Sequence, residues 1–380
     1  MMFAPLENLL WGVFGWEPNP SALNERAVKL GRQGRYAEAI AELNRAIAAA
    51  PNFAKAWLNR ASCRVHLGDY QAAIDDCTRA IELDPGMMLA YHGRGIAYNE
   101  LQRYAEAHAD FDRALSIDTR DVNLYYYRAV AAAGLNWPVR AIADLNVFLA
   151  QDSTHIAAYV QRAAAYMAQG NIDLSLADFE RVTQLDPSHA TSWGHVGTGR
   201  YLRGEPALAV EALSRCLTLE PGDMLAANNR GASYVLLRRF SEAEADLLRT
   251  IEQHPEFPSA RKNLAWIRAT CPDEQFRNGR EAVELATQAL DMIHWDQPAW
   301  LEVLAAAYAE SGDFDSAIEW QQKAIEQLGA DEDSATGRRL RLYLLRQPFR
   351  HICLPGEPVE LIPGARPMAA TGKAENISRA

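Results

Sequence analysis

Closely spaced cysteines are missing from this 380-residue chain. Cys63, Cys77, Cys216, Cys271 and Cys353 are odd in number, widely scattered and never arranged as C-x-x-C. That disfavours a disulfide framework and a cysteine zinc site, and it points to reduced thiols in a cytoplasmic protein. Surplus basic charge is missing too. Lys and Arg total 38 against 49 Asp and Glu, for a net charge of -11. A phosphate backbone is repelled by that balance, so nucleic acid is not an expected partner. No stretch approaches the length of apolar residues that crosses a bilayer. Residues 1–19 open with MMFAPLENLLWGVFGW, which is apolar but short, and lacks the Lys/Arg start and cleavage site of a secretory signal. Two readings of it stand. Leu6, Leu10 and Phe14 share one helical face that covers the end of a repeat array, or Trp11, Phe14 and Trp16 touch a membrane or a partner.

Catalytic motifs are also absent. The sequence has no G-x-x-x-x-G-K-[ST], no G-x-S-x-G and no H-E-x-x-H. Its nine histidines are dispersed. The nearest two, His189 and His195, have no cysteine or carboxylate at ligand spacing. The expectation is a non-enzymatic protein with no metal and no bound cofactor.

What the sequence has is a period of 34 residues. Pro51, Pro85, Pro187, Pro221 and Pro255 fall on it, with Thr119 and Ser153 in the two intermediate slots. Proline lacks the N–H needed to continue a helix, so the slots are evenly spaced helix breaks. Twelve residues before each slot lies a small side chain, at Ala39, Ala73, Ala107, Ala141, Ser175, Ala209 and Ala243, where two helix backbones can approach closely. Gly34-Arg35-Tyr36, Gly68-Asp69-Tyr70 and Gly312-Asp313-Phe314 mark the turn between paired helices, with glycine supplying the left-handed conformation. Each period therefore reads as helix, turn, helix.

A unit such as Trp57 to Pro85, with Gly68, Tyr70, Ala73, Ala80 and Pro85, resembles a tetratricopeptide repeat. The resemblance implies an all-α, right-handed superhelical solenoid of about nine helix-turn-helix units. They fall near 20–53, 54–87, 88–121, 122–155, 156–189, 190–223, 224–257, 258–297 and 298–328, an array spanning residues 20–328. Two units depart from the pattern. In the fourth, Asn136-Trp137-Pro138 replaces Gly-x-Tyr. In the eighth, the insertion ATCPDEQFRNG at 269–279 delays the second helix by five residues, resembling a variant repeat near the end of bacterial members of the family.

A charge ladder runs through the repeats. Arg26, Arg60, Arg94, Arg128, Arg162 and Arg230 are each followed sixteen residues later by an acid: Glu42, Asp76, Asp110, Asp144, Asp178 and Asp246. The sixth unit has Val196 and Ala212 instead, losing both members together, as contacting partners would. Partly exposed pairs of this kind contribute about 0.2–1 kcal/mol each.

In the family the first helix of each unit lines a concave groove. Carried over, that places Lys55, Asn59, Ser62, His66, His92, Asn99, Asn123, Tyr126, Tyr127 and Gln161 on the lining, followed by Thr191, His195, Thr198, Tyr201, Asn228 and Asn229. A neutral, amide-rich lining with aromatic rings suits extended peptide, because amides bond a backbone as both donor and acceptor. Other proteins or peptides are the expected partners. The family's clamp for a terminal carboxylate is matched only in part, by Lys55 and Asn59. Asn24, Val28, Leu89 and Gly93 hold its other positions, so chaperone tails are not expected.

Residues 334–350 read as a capping helix, with Leu340, Tyr343 and Leu344 inward and Arg338, Arg339, Arg341 and Arg346 solvated. Residues 351–380 turn to Pro, Gly and Ala and read as a flexible tail. Val359, Leu361 and Ile362 in it are candidates to occupy the groove or to dock elsewhere.

Overall fold

A computed structural model of the chain describes residues 19–351 and 360–364. The expectations for residues 1–16 and for Val359 and Cys353 lie outside the described residues. Among those residues there are nineteen α-helices, one short 3-10 helix and no β-strand. The chain divides into two compact units at Gly170. The first contains α1 (Pro20–Arg32), α2 (Tyr36–Ala49), α3 (Ala54–His66), α4 (Tyr70–Leu83), α5 (Met88–Glu100), α6 (Tyr104–Ile117), α7 (Asn123–Gly134), α8 (Pro138–Gln151) and α9 (Ile156–Ala168). The second contains α10 (Ile172–Leu185), α11 (Ala190–Leu202), α12 (Pro206–Leu219), α13 (Met224–Leu236), α14 (Phe240–Gln253) and α15 (Pro258–Thr270). After a 3-10 turn at Glu274–Phe276 come α16 (Gly279–Met292), α17 (Pro298–Ser311), α18 (Phe314–Leu328) and α19 (Ala335–Leu344). Within each unit consecutive helices pack as antiparallel hairpins and each hairpin stacks on the next, the arrangement of an α-solenoid.

The turns obey the 34-residue period more strictly than the glycines do. Gly34, Gly68, Gly170 and Gly204 have positive φ, and so do Gln102, Asn136 and Arg238 in the remaining slots. The fourth unit thus makes the same left-handed turn on Asn136, φ 57°, that its neighbours make on glycine. At Gly34 and Gly68 an added Cβ would meet nothing within 4 Å, so backbone conformation rather than space selects glycine there. The small residues at the hairpin crossings are buried, with Ala39, Ala73, Ala107, Ala141, Ala209 and Ala243 all fully enclosed.

The charge ladder is built as the spacing requires. Arg60 forks onto Asp76 at 2.6 and 2.9 Å, Arg94 onto Asp110 at 2.7 and 2.8 Å, Arg128 onto Asp144 at 2.7 and 2.8 Å, and Arg230 onto Asp246 at 2.7 and 2.8 Å. Arg26 and Glu42 are looser, at 3.6 Å. Each of those four forked arginines also reaches back to the second helix of the preceding hairpin, where Arg60 meets Asn44, Arg94 meets Thr78, Arg128 meets Asp112 and Arg230 meets Ser214. One guanidinium therefore ties its own hairpin and its neighbour, a use of the planar fork that lysine does not reproduce. The acids are more enclosed than a surface pair: Asp76, Asp110, Asp144 and Asp246 are all buried. In the sixth hairpin Val196 and Ala212 are buried apolar replacements, and the arginine reappears one helical turn later as Arg200, bonded to Glu180 and Glu205. The eighth repeats the substitution, with Leu264 buried and Arg268 reaching Glu244 and Glu281.

The insertion after α15 is pinned rather than loose. Arg277 donates to the carbonyls of Cys271 and Pro272, Arg268 donates to that of Phe276, and Phe276 is buried. The second helix of that unit begins at Gly279, late as the sequence indicates.

Two expectations for the end of the chain need correction. Tyr343 is fully buried against Ala305, Ala309 and Ala317, but Leu344 is 57% exposed, and Arg339 lies inside rather than on the solvated face. Arg339 is drawn in by Glu302 of α17 and by Glu360, with both of which it forms ion pairs. The reading of a flexible tail from 351 onward does not extend to His351 or to residues 360–364. His351, Ile362 and Pro363 are buried in the second unit, because its helices supply the apolar surface that the segment cannot supply for itself.

Candidate functional site

In the first unit, the residues expected to line a groove lie on the first helices of successive hairpins. Their burial falls into two groups. Lys55, Ser62, His66 and Asn123 are exposed, whereas Asn59, His92, Asn99, Tyr126, Tyr127 and Gln161 are half-buried. A cluster forms where α5 meets α7. The His92 ring lies 5.4 Å from that of Tyr127, Tyr127 stacks on Phe111 at 6.0 Å, and Tyr126 lies 5.4 Å from Tyr127. Tyr126 also meets Phe148 and His155, at 5.2 and 5.0 Å. Asn99 Nδ2 donates to the Tyr127 carbonyl at 3.0 Å.

The rings of this cluster are uncharged, and the carboxylates of Asp121 and Glu100 lie near enough to act on them. Burial lowers the His92 pKa against a smaller opposing pull from Asp121, whose carboxylate lies 3.9 Å from Nδ1, so the ring is uncharged at neutral pH. Burial likewise raises both tyrosine hydroxyls. His92 Nε2 and Asn99 Oδ1 are buried and have no hydrogen-bond partner among the described residues. Such atoms are rare, and each costs roughly 1–3 kcal/mol while unpaired.

Several amides bond amide or hydroxyl groups of neighbouring first helices. Asn59 donates to Asn24 at 2.7 Å, Asn229 to Thr198 at 2.9 Å, and Asn263 to Asn228 at 2.9 Å. These bonds join consecutive hairpins and use part of the capacity that the sequence reading assigned to a ligand. Two residues of the expected lining are enclosed: Tyr201 and Asn228 are 3% and 5% exposed. Asn228 is enclosed because it bridges Asn229 and Asn263. His195 stacks on Phe179, ring centroids 4.3 Å apart, and burial lowers its pKa. Thr191 is exposed.

The second unit differs in what covers its first helices. Residues 262–267 of α15 and 300–307 of α17 are buried without interruption, whereas a helix in a hairpin stack normally leaves one face free. The cover is the chain itself. Trp266 Nε1 donates to His351 Nδ1 at 2.8 Å, fixing that ring's tautomer with Nδ1 as acceptor, so Nε2–H donates to the Glu360 carbonyl at 2.9 Å. Lys262 Nζ donates to the Pro363 carbonyl at 2.9 Å and lies 5.6 Å from the Trp300 ring centroid. Enclosure alone pushes the Lys262 ammonium down to about 7. These residues were not singled out from the sequence, yet Lys262, Asn263 and Trp266 sit one 34-residue period beyond Asn228, Asn229 and Ala232.

Histidines at two repeat boundaries have a structural role. His155 Nδ1 accepts from the Ala158 N–H and His189 Nδ1 from that of Ser192, each capping the helix it precedes. No group of three His, Cys, Asp or Glu side chains placed to hold a metal occurs among the described residues. No helix among them is long and apolar enough to cross a membrane.

Helical hairpins stacked at a 34-residue period, the first seven turned on a left-handed residue, define a repeat solenoid. Family models described as tetratricopeptide repeats match residues 24–87, 89–121, 156–189 and 274–335, and the chain belongs to that family. Comparison with curated proteins finds no match. Among solved structures the chain is similar to YrrB, described as a TPR protein with an unusual peptide-binding site. The identity is 26%, over 48% of this chain and 95% of that one, with a TM-score of 0.45. It is also similar to PilW, described as a type IV pilus biogenesis factor, at 21% identity over 53% and 94% of the two chains, TM-score 0.46. MamA is 18% identical over 44% and 92%, TM-score 0.42.

Proposed function

We propose that this protein is a non-enzymatic scaffold that binds extended peptide segments of other proteins along the first helices of its repeats. The site is centred in the first unit on His92, Asn99, Tyr126 and Tyr127. The carrying observation is the pair of unsatisfied polar atoms, His92 Nε2 and Asn99 Oδ1, on two side chains that both contact the half-buried Tyr127. A peptide backbone offers both a donor and an acceptor and meets those needs after small side-chain rotations. The rings add rigid contact area at little entropic cost. The neutral imidazole and the un-ionised tyrosines leave the carboxylates of Asp121 and Glu100 as the charges acting on the site, which disfavours acidic ligands and favours recognition of main chain and apolar side chains.

A double variant, Tyr126→Leu with Tyr127→Leu, keeps apolar volume while removing the rings. It is expected to lose at least tenfold in affinity for extended peptide ligands, measured by fluorescence anisotropy, while keeping wild-type helicity by circular dichroism. Unaltered affinity in the folded variant would place binding elsewhere.

A further inference from the structure

Residues 360–364, Glu-Leu-Ile-Pro-Gly, contact the second unit as a bound ligand would. Their polar contacts with other described residues run outward to three side chains. The Glu360 carboxylate pairs with Arg339, itself 3% exposed and paired with Glu302. The Glu360 carbonyl accepts from His351, and the Pro363 carbonyl accepts from Lys262. Ile362 is 1% exposed in the same apolar cluster as Trp266, Trp300 and Leu304, and Leu361 packs against that cluster. Gly364 has φ +77°, and a Cβ there would lie 2.5 Å from Trp300 Nε1, so no other residue fits. The site thus reads a carboxylate, an aliphatic side chain, a backbone carbonyl and a glycine in that order.

We infer that α15, α17 and α19 form a peptide-binding site selective for an acidic–Leu–Ile–Pro–Gly segment, which this chain fills with its own residues 360–364. A segment so rich in Pro and Gly has no core of its own, and its order is supplied by the surface that receives it. Buried Lys262 and Arg339 are the specificity elements. Lysine serves a lone carbonyl, and the guanidinium serves a carboxylate. Only eight residues join His351 to Glu360, so the tethered segment competes at an effective concentration on the order of 1 mM. A partner carrying the same pattern enters when its local concentration exceeds that value or when the tether is displaced. This site is separate from the one proposed around Tyr127, and either reading can fail without the other.

The test uses the full chain with Ile362→Asp and Gly364→Val, which expel the segment while leaving the receiving helices intact. The probe is a fluorescent peptide of residues 356–366. The expected result is binding to the released chain at least tenfold tighter than to the wild-type chain. Peptides carrying Glu360→Lys or Ile362→Asp should bind at least tenfold more weakly, and the Tyr126→Leu, Tyr127→Leu variant should leave the difference unchanged. Equal affinity for wild-type and released chains, or for matched and altered peptides, overturns the proposal. Loss of helicity in the released chain overturns it too, because the segment would then be part of the fold rather than a ligand.

Discussion

Arg339→Met is expected to destabilise the second unit by about 3–5 kcal/mol, the range observed when one partner of a buried ion pair is removed and the other is left uncompensated. The Arg339 and Glu302 side chains are 4% and 5% exposed, so the stranded Glu302 carboxylate has almost no access to water. Arg339 also lies over Trp266 and Phe349, 5.7 and 5.5 Å from their centroids, and a methionine keeps most of that packing. The loss is therefore electrostatic. Urea unfolding followed by tryptophan fluorescence measures it, since Trp266 is fully buried beside the guanidinium. A second substitution separates pair from packing: with Glu302→Met added, most of the lost stability should return, because an apolar pair of similar volume carries no desolvation cost. If the single variant loses less than about 1 kcal/mol, the level of an exposed pair, the buried charge pair is not what holds this region together.

The second large effect concerns the ladder. Asp110→Ala should cost about 2–3 kcal/mol, because Arg94 loses both arms of a forked contact while its charge stays mostly enclosed. The residual bond from Arg94 to Thr78 keeps the loss below the upper end of the buried-pair range. Glu42→Ala, in the looser first rung where Arg26 is 48% exposed at 3.6 Å, should cost less than about 1 kcal/mol. Melting temperatures of the two variants test the contrast, and neither substitution should alter peptide affinity. Equal losses would mean that burial does not set the strength of the rungs.

Both predictions show where sequence was sufficient and where it was not. The spacing of Arg94 and Asp110 identified a pair, because contact between helices of one hairpin repeats with the hairpin. The burial of the pair is not legible there, because periodicity carries no information on solvent access. The shift from Val196 to Arg200 was also missed, since a rung displaced by one helical turn breaks the 34-residue register while preserving its contacts. Turns were legible wherever glycine stands. Asn136 tolerates that backbone almost as glycine does, whereas at Gln102 and Arg238 it is imposed by the stacked helices on residues that do not prefer it.

For the candidate sites the limit was different. The groove positions carried over from the family put Tyr126, Tyr127 and His92 on one lining, and they do cluster. It did not show that Asn59, Asn228 and Asn229 bond neighbouring helices, because an amide suits a peptide and another amide equally well. Lys262 could have been found by carrying the lining position of Asn228 one period further, and Trp266 by carrying that of Thr198 two periods further. Their partners could not, since the approach of His351 and Pro363 depends on how the chain returns after α19.

The proposed function has the first unit hold extended segments of other proteins. A photoreactive amino acid at Asn123, exposed and two residues from the half-buried Tyr125, Tyr126 and Tyr127 run, places a cross-linker at the proposed site without disturbing its rings. Cross-linking in native extract, with the captured segments sequenced by mass spectrometry, reads the site directly. The account predicts a restricted set of extended segments, captured from few proteins and lost when Tyr126→Leu and Tyr127→Leu are introduced. Cross-links spread over folded surfaces, or a set unchanged by the double substitution, would contradict it.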